Sequence, residues 1–433
     1  DGVNSLNNTK NNLFSNITVA GATAVTGISN TNGSTAAMIK NVLNNKVSNI
    51  TGGTGTIQGL LVNFDAGTTT VTSDTVSNIT YGAAITGIVF GTGTNNVNAV
   101  TNCSLNVINT FTGSGAFQVA GIFTTGSATV GTRNVFRNKI YNLANNNSGG
   151  SVAGIRVNGG FNQNVYNNLL ADLRTPSSTG SLLFGISVVS VQTNSTISVD
   201  YNTVYLTGSS SGLNFGSSAI VHTTSTTATT ANLTLRNNIF IKASTPSVNP
   251  GVTAAYVRAG AVTLANYNAA SNNNIFFAGT PSATNLIMFD GTNSYQTLAT
   301  YKAAVTPSDA NSLSVNITFQ STTGTSSGFL HLTSPSIASR PASTIPGIPI
   351  AFDGSPRNIP QHIGVDPPVP QLLMGFSTRA NGTLHRRRAD HHANRVAEVN
   401  PHALDRGSHL LIIGNVGADA QSIAPGVFDF KLA

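Results

Sequence analysis

The sequence predicts an all-β chain: a right-handed parallel β-helix, or solenoid, of about nine or more coils. A C-terminal cap and a small extra C-terminal segment follow it. Three observations predict this. A polar residue recurs in one column, at Asn11, Asn45, Asp74, Cys103, Asn138, Asn167, Asn202, Asn237 and Asn273, in steps of 29 to 36 residues. An aliphatic residue stands two positions after each, from Leu13 and Val47 to Ile239 and Ile275. A repeat in this range is the signature of a stacked array. Between these columns lies an aliphatic-x-Gly-aliphatic pattern, as in Val25–Ile28, Ile57–Leu60, Ile85–Ile88, Val119–Ile122, Val152–Ile155 and Leu183–Ile186. A third short stretch precedes the polar column, as in Thr70-Val71-Thr72 and Ile197-Ser198-Val199.

Each repeat thus holds three short segments with period-two alternation and β-branched residues, separated by Gly, Ser, Thr and Asn. That pattern is strand, not helix. Three short strands cannot bury their inner faces alone, and stacking repeats gives them a continuous core. Parallel strands about 4.8 Å apart satisfy this, and the crossover rule sets the right-handed sense. An asparagine stacked at a bend can donate and accept along the axis. Asn11, Asn45, Asp74, Asn138, Asn167, Asn202, Asn237 and Asn273 are therefore the expected structural ladder, with Cys103 packed as a small apolar residue. The glycines mark a tight bend or a close approach of neighbouring backbone. Variation in repeat length belongs to the turns, because a slipped strand would expose the core.

Three regions are expected: coils over 1–280, final coils and cap over 281–366, and a Pro-rich linker with a small module, a β candidate, over 367–433. Charged residues are only 8% of the chain, against about 25% in ordinary globular proteins. A surface of Ser, Thr, Asn and Gly suits an extracellular stacked-strand protein. The net charge is +7, spread over many coils without the dense basic and aromatic patch that nucleic acid requires. A single cysteine excludes an internal disulfide framework. No apolar run is long enough to span a membrane. Nothing at Asp1 resembles a leader, and the start reads as a mature or truncated end.

The text changes after Asn273. Thr297–Ala304, with Leu298, Tyr301 and Ala304, has helical spacing. Around it run Tyr295-Gln296-Thr297-Leu298, Asp309-Ala310-Asn311-Ser312, Phe329-Leu330-His331-Leu332, Ser334-Pro335, Asp353-Gly354-Ser355-Pro356-Arg357 and Ile363-Gly364-Val365-Asp366. In this order the motifs resemble the closing sequence of secreted, pectin-lyase-like parallel β-helix proteins of Bacteroidota, over about residues 1–366. Gln361-His362 and Val365 depart from that pattern at its last motif. The resemblance implies a secreted or surface-anchored scaffold of the type IX secretion kind. No sorting domain is recognised after 366. Pro367-Pro368-Val369-Pro370 reads as a stiff linker, and Leu410–Val416 and Val427–Leu432 as candidate strands.

Polysaccharide cleavage would need paired carboxylates, or a base beside a cation held by carboxylates. Asp65, Asp74, Asp172 and Asp200 fall at different repeat positions, which points away from catalysis without excluding it. No pattern asks for a cofactor or metal. Lys10, Arg137 and Arg236 precede the polar column by one residue, and Lys46 and Lys139 follow it. They read as outward-facing positions. The dense group Arg386, Arg387, Arg388, His391 and His392 lacks zinc spacing and is a candidate contact for a polyanion or partner. The sequence thus predicts a non-catalytic structural or adhesive protein outside the cell, with glycans, other surface proteins or copies of itself as candidate partners. A carbohydrate-active enzyme and a filament subunit are the alternatives.

Overall fold

Alternation with period two makes each segment one-sided, and the segments stack as the pattern requires. The computed structural model describes residues 5–364, apart from 32–37, 64–66, 92–98, 127–129, 248, 250, 334–335, 340–341 and 358–360, together with 375–378 and 384–387. Among these residues three long sheets wind around one core. The first has eight strands, from Ser5–Lys10 to Asn232–Arg236. The second has nine, from Leu13–Thr18 to Ile275–Phe277. The third has ten, from Val25–Asn30 to Leu286–Phe289 plus the closing Ser294–Tyr295. Every pair within them is parallel except the last, where Leu286–Phe289 meets Ser294–Tyr295 antiparallel. Each strand pairs with its equivalents one repeat away, so the chain is a parallel β-solenoid.

Valine, isoleucine and leucine columns line the interior. Val47, Val76, Ile108, Ile140, Leu170 and Val204 form one, and all are inaccessible to solvent. Across from them lies the glycine column, and its purpose is steric. A methyl group on Gly121 would lie 2.5 Å from the Gly154 carbonyl oxygen and 2.8 Å from Ile140 Cγ2. The third sheet can approach the second closely only where it has no side chain.

The second sheet carries a left-handed residue at one shared position. Asn16, Asn49, Asn78, Thr110, Asn142 and Asp172 have φ between 52° and 60° and interrupt the strand pairing without shifting its register. Asparagine tolerates this left-handed region best among residues with side chains. The shared position also explains three Asn-Ile-Thr triplets, at 16–18, 49–51 and 78–80: a left-handed Asn, an inward Ile and an outward Thr.

The expected helix is α1, Leu298–Val305, capped by Thr297 through a reciprocal box with Thr300. It seats Tyr301 edge-on against Phe276, with ring centroids 5.3 Å apart. Beyond it, residues 313–364 turn back along the outside of the solenoid. Phe329 and Leu330 cover Leu169 and Ala171. Ile317, Leu332, Ala338 and Ile363 cover Ile239, Ile241 and Ile275. This strap makes the outer face of the second sheet apolar over the later coils.

The chain divides into two compact units, Asp1–Val369 and Pro370–Ala433. In the second, Gly375–Thr378 pairs antiparallel with Leu384–Arg387. Pro367–Pro370 and the two candidate strands near the C-terminus lie outside the described residues.

Candidate functional site

A ladder of side-chain amides runs along the bend between the first and second sheets. Asn12 donates to Asn45, Asn45 to Asp74, Asn106 to Asn138, Asn138 to Asn168, Asn168 to Asn202, Asn202 to Asn238 and Asn238 to Asn274, each at 2.8 to 3.1 Å. Each Oδ1 also accepts the backbone N–H of the residue one coil before, as Asn138 does from Asn106 at 3.1 Å. Each interior Nδ2 donates to a main-chain carbonyl of the preceding coil, as Asn138 does to Cys103 at 3.0 Å. The side-chain amide groups of an interior asparagine rung are thereby paired, as burial demands.

Asn45, Asp74, Asn138 and Asn202 sit in this ladder. Asn11, Asn167, Asn237 and Asn273 do not: the rungs are Asn12, Asn168, Asn238 and Asn274, one residue later. Cys103 packs in the core as expected; the rung of its coil is Asn106, three residues later, whose Nδ2 donates to the Cys103 thiol at 3.3 Å. The displaced asparagines hold the preceding left-handed position, with φ of 55° to 58°. Three of them dock the strap. Asn167 donates to the Ile350 carbonyl, Asn237 to the Ser343 carbonyl and Asn273 to the Ser343 hydroxyl. Arg137 donates from the same column to the Phe352 carbonyl. From the strap, Arg357 stacks on the Tyr201 ring at 3.7 Å and bonds Asn167. Lys139, an outward position of the second sheet, reaches the Ser326 carbonyl at 3.0 Å.

The Asp309–Ser312 motif ends the ladder. Asp309 Oδ1 accepts Asn274 Nδ2 at 2.9 Å and the Ser312 hydroxyl at 2.5 Å. Its Oδ2 accepts the hydroxyls of Tyr267 and Tyr301, each at 2.5 Å. Ser312 Oγ takes the Asn274 backbone N–H. The carboxylate closes a column that would otherwise end in buried, unpaired donors. Burial and the Asp309 charge push both tyrosines well above their usual range.

Other charged groups are also partnered. Asp200 takes two bonds of 2.9 Å from Arg236. Asp172 pairs with Arg174 at 3.3 Å on the second sheet, so Asp172 and Asp200 do not converge. His222 is buried with Nδ1 3.3 Å from Arg258 Nη1 and Nε2 3.0 Å from the Ala231 carbonyl. Burial and the Arg258 charge lower it to about 3. No group of three metal-ligating side chains occurs among the described residues, and no described helix is long and apolar enough to cross a membrane. Arg386 and Arg387 lie in the strand Leu384–Arg387; Arg388, His391 and His392 lie outside the described residues.

One outward-facing group was missed by sequence reasoning. Phe123 and Arg156 both stand two residues after a column glycine, on the outer face of the third sheet, and pair in register. The Arg156 guanidinium lies 5.2 Å from the Phe123 ring centroid, and Nη1 donates to Gln118 Oε1 at 2.9 Å. Ala120 and Ala153, at one register position of this sheet, are 2% and 0% exposed, and so are Ser218 and Ala254 further along the same column. Phe184 flanks Ala153 in the next coil, and Phe117, beside Gln118, is 66% exposed. The shared offset from the glycine column was the available signal.

Comparison with protein-family models, characterised proteins and solved structures finds no match. The fold class and the chemistry of its surfaces are therefore what defines this chain: a parallel β-solenoid with a buried amide ladder.

Proposed function

We propose that the protein is a non-catalytic structural or adhesive β-helix of the cell exterior, secreted or surface-held, which meets glycans or neighbouring proteins through its sheet faces. The observation that carries this is where the carboxylates go. Asp74 is a ladder rung, Asp200 is clamped by Arg236, Asp309 closes the ladder and Asp172 faces Arg174. Asp290 binds the turn at Thr292 and Asn293, and Asp353 binds Ser355. Hydrolysis needs two carboxylates flanking one bond, and each described carboxylate is instead held by scaffold partners.

Two outward rows are of amides. Asn102, Asn134 and Asn164 stack at 2.8 and 2.9 Å on the first sheet. Asn16, Asn49 and Asn78 stack at 3.0 and 2.7 Å on the second. Such rows suit hydrogen bonding to hydroxyl-rich ligands. The charge-poor composition and the resemblance of the closing motifs to Bacteroidota β-helix proteins support an exported, adhesin-like role of the type IX kind. The capped C-terminal coil argues against a filament built by stacking that end on another copy.

The test is incubation of the full chain with neutral and acidic polysaccharides, with and without calcium, scoring cleavage and retention. Retention without cleavage is expected. Cleavage would overturn the proposal. Neither result, together with growth in light scattering, would replace it with self-assembly.

A further inference from the structure

In the last coils the inner surface turns polar at the corner between the second and third sheets. Lys242 ends the strand Ile239–Lys242 and pairs in register with Leu206, a core residue, so its side chain points inward. It is 1% exposed. On the third sheet one inward column runs Val119, Val152, Leu183, Ser217 and Thr253. The register of Ala254 with Leu286 places Asn285 next in that column. Asn285 Oδ1 accepts from Lys242 Nζ at 2.6 Å, and among the described residues it is the one hydrogen-bond partner of that amine. From Tyr201 to Phe289 the chain holds no Asp or Glu. An ammonium has three donors, and burying it against one neutral acceptor is unfavourable. Burial accordingly lowers Lys242 from 10.5 to about 8. The other end of the Asn285 amide lies at the surface, where Nδ2 donates to the Thr280 carbonyl at 3.1 Å.

We propose that Lys242 and Asn285 join in a spontaneous isopeptide bond, which staples the strand Ile239–Lys242 to the strand Leu286–Phe289. The unprotonated Nζ attacks Asn285 Cγ, one bond away from the oxygen it already touches. The Nζ–Cγ bond forms and the Cγ–Nδ2 bond breaks. A proton passes from Nζ to Nδ2, which leaves as ammonia, so no oxidant or further reactant enters. The nucleophile comes from the dry side of the amide and the leaving nitrogen departs on the wet side. Holding both groups in contact supplies the effective concentration that a free amine lacks. The Thr253 hydroxyl, buried without a partner beside Asn285 in the column, is the donor available to the oxygen as it gains charge. The product replaces a buried ammonium with a neutral amide, and that removes the penalty of burying the charge.

The experiment is mass spectrometry of the full chain, intact and after proteolysis, as purified and after incubation at pH 9, where most of the amine is unprotonated. Wild type should weigh less than its sequence by one ammonia, and its digest should contain a branched peptide joining Lys242 to Asn285. Lys242→Arg and Asn285→Ala should keep the full mass. Thr253→Val should form the bond about tenfold or more slowly; a rate equal to wild type overturns the part given to Thr253. A full-mass wild type with only linear peptides at both residues overturns the proposal. So does loss of ammonia without the branched peptide, which marks a succinimide elsewhere in the chain. The wild-type spectra decide by themselves, so a variant that fails to fold does not blunt the test.

Discussion

Asp74 is the one carboxylate in a ladder built for amides, and replacing it with asparagine should stabilise the fold in a pH-dependent way. Its Oδ1 behaves as an amide oxygen would, accepting Asn45 N–H at 2.7 Å and Asn45 Nδ2 at 2.8 Å. Its Oδ2 stands where other rungs carry an NH2 group, and it has no partner. The atoms it should address are acceptors: Asn106 Oδ1 in the next coil and, by the offset the other rungs share, the Val42 carbonyl. A buried anion facing acceptors is disfavoured, and burial raises Asp74 from 3.8 to about 7 despite the Asn45 hydrogen bonds that pull it down.

The sign follows from proton binding. Below the unfolded value both states are protonated and no penalty exists. Between 3.8 and about 7 the folded chain holds a proton that the unfolded chain has released, so stability falls as pH rises. Above that window the penalty is complete, at roughly 4 kcal/mol. Asp74→Asn removes it and restores two donors. The variant's advantage over wild type should therefore be about 4 kcal/mol larger near pH 9 than near pH 4. Denaturant titrations from pH 4 to 9 test this. Amide exchange at Asn45 and Asn106 supplies a local readout, since stacked repeats need not unfold in one step. A difference that is constant with pH, or a variant less stable than wild type at pH 9, would refute the account of the ladder.

Three further outcomes are expected. Asn138→Ala leaves Asn106 N–H and Nδ2 without their acceptor and should cost about 3 kcal/mol, whereas Asn138→Asp should reproduce the pH dependence of Asp74; both are read by denaturant titration. Gly121→Ala drives a Cβ to 2.5 Å from the Gly154 carbonyl oxygen and should cost about 1–3 kcal/mol, seen as a lowered thermal midpoint. His222 is depressed to about 3 from 6.5, so its contribution is complete above 6.5 and is lost as pH falls towards 3; His222→Gln should flatten that acid limb in a pH-dependent unfolding series.

The period, the strand character and the glycine column belong to local physics, and the sequence expressed them directly. A side chain every second residue must be apolar to reach the core, and a close backbone approach must be glycine. The capping helix was legible for the same reason: Thr297, Leu298 and Tyr301 place a cap and one buried stripe by spacing alone. The phase of the ladder was not legible. At Asn11-Asn12, Asn167-Asn168, Asn237-Asn238 and Asn273-Asn274 two asparagines compete. The left-handed bend takes the first and the ladder the second, because only the second points inward. Leu169, Ile239 and Ile275 disguised this, since they look like core residues in a strand. They are apolar because the strap lies on them. Arg156 escaped notice because its partners, Gln118 and Phe123, lie one coil away. Residue type and interval follow from the chain's own stereochemistry. Which of two adjacent residues faces inward depends on the neighbouring coils about 30 residues away, and which outer face is covered depends on a strap up to 215 residues away; tertiary packing alone decided both.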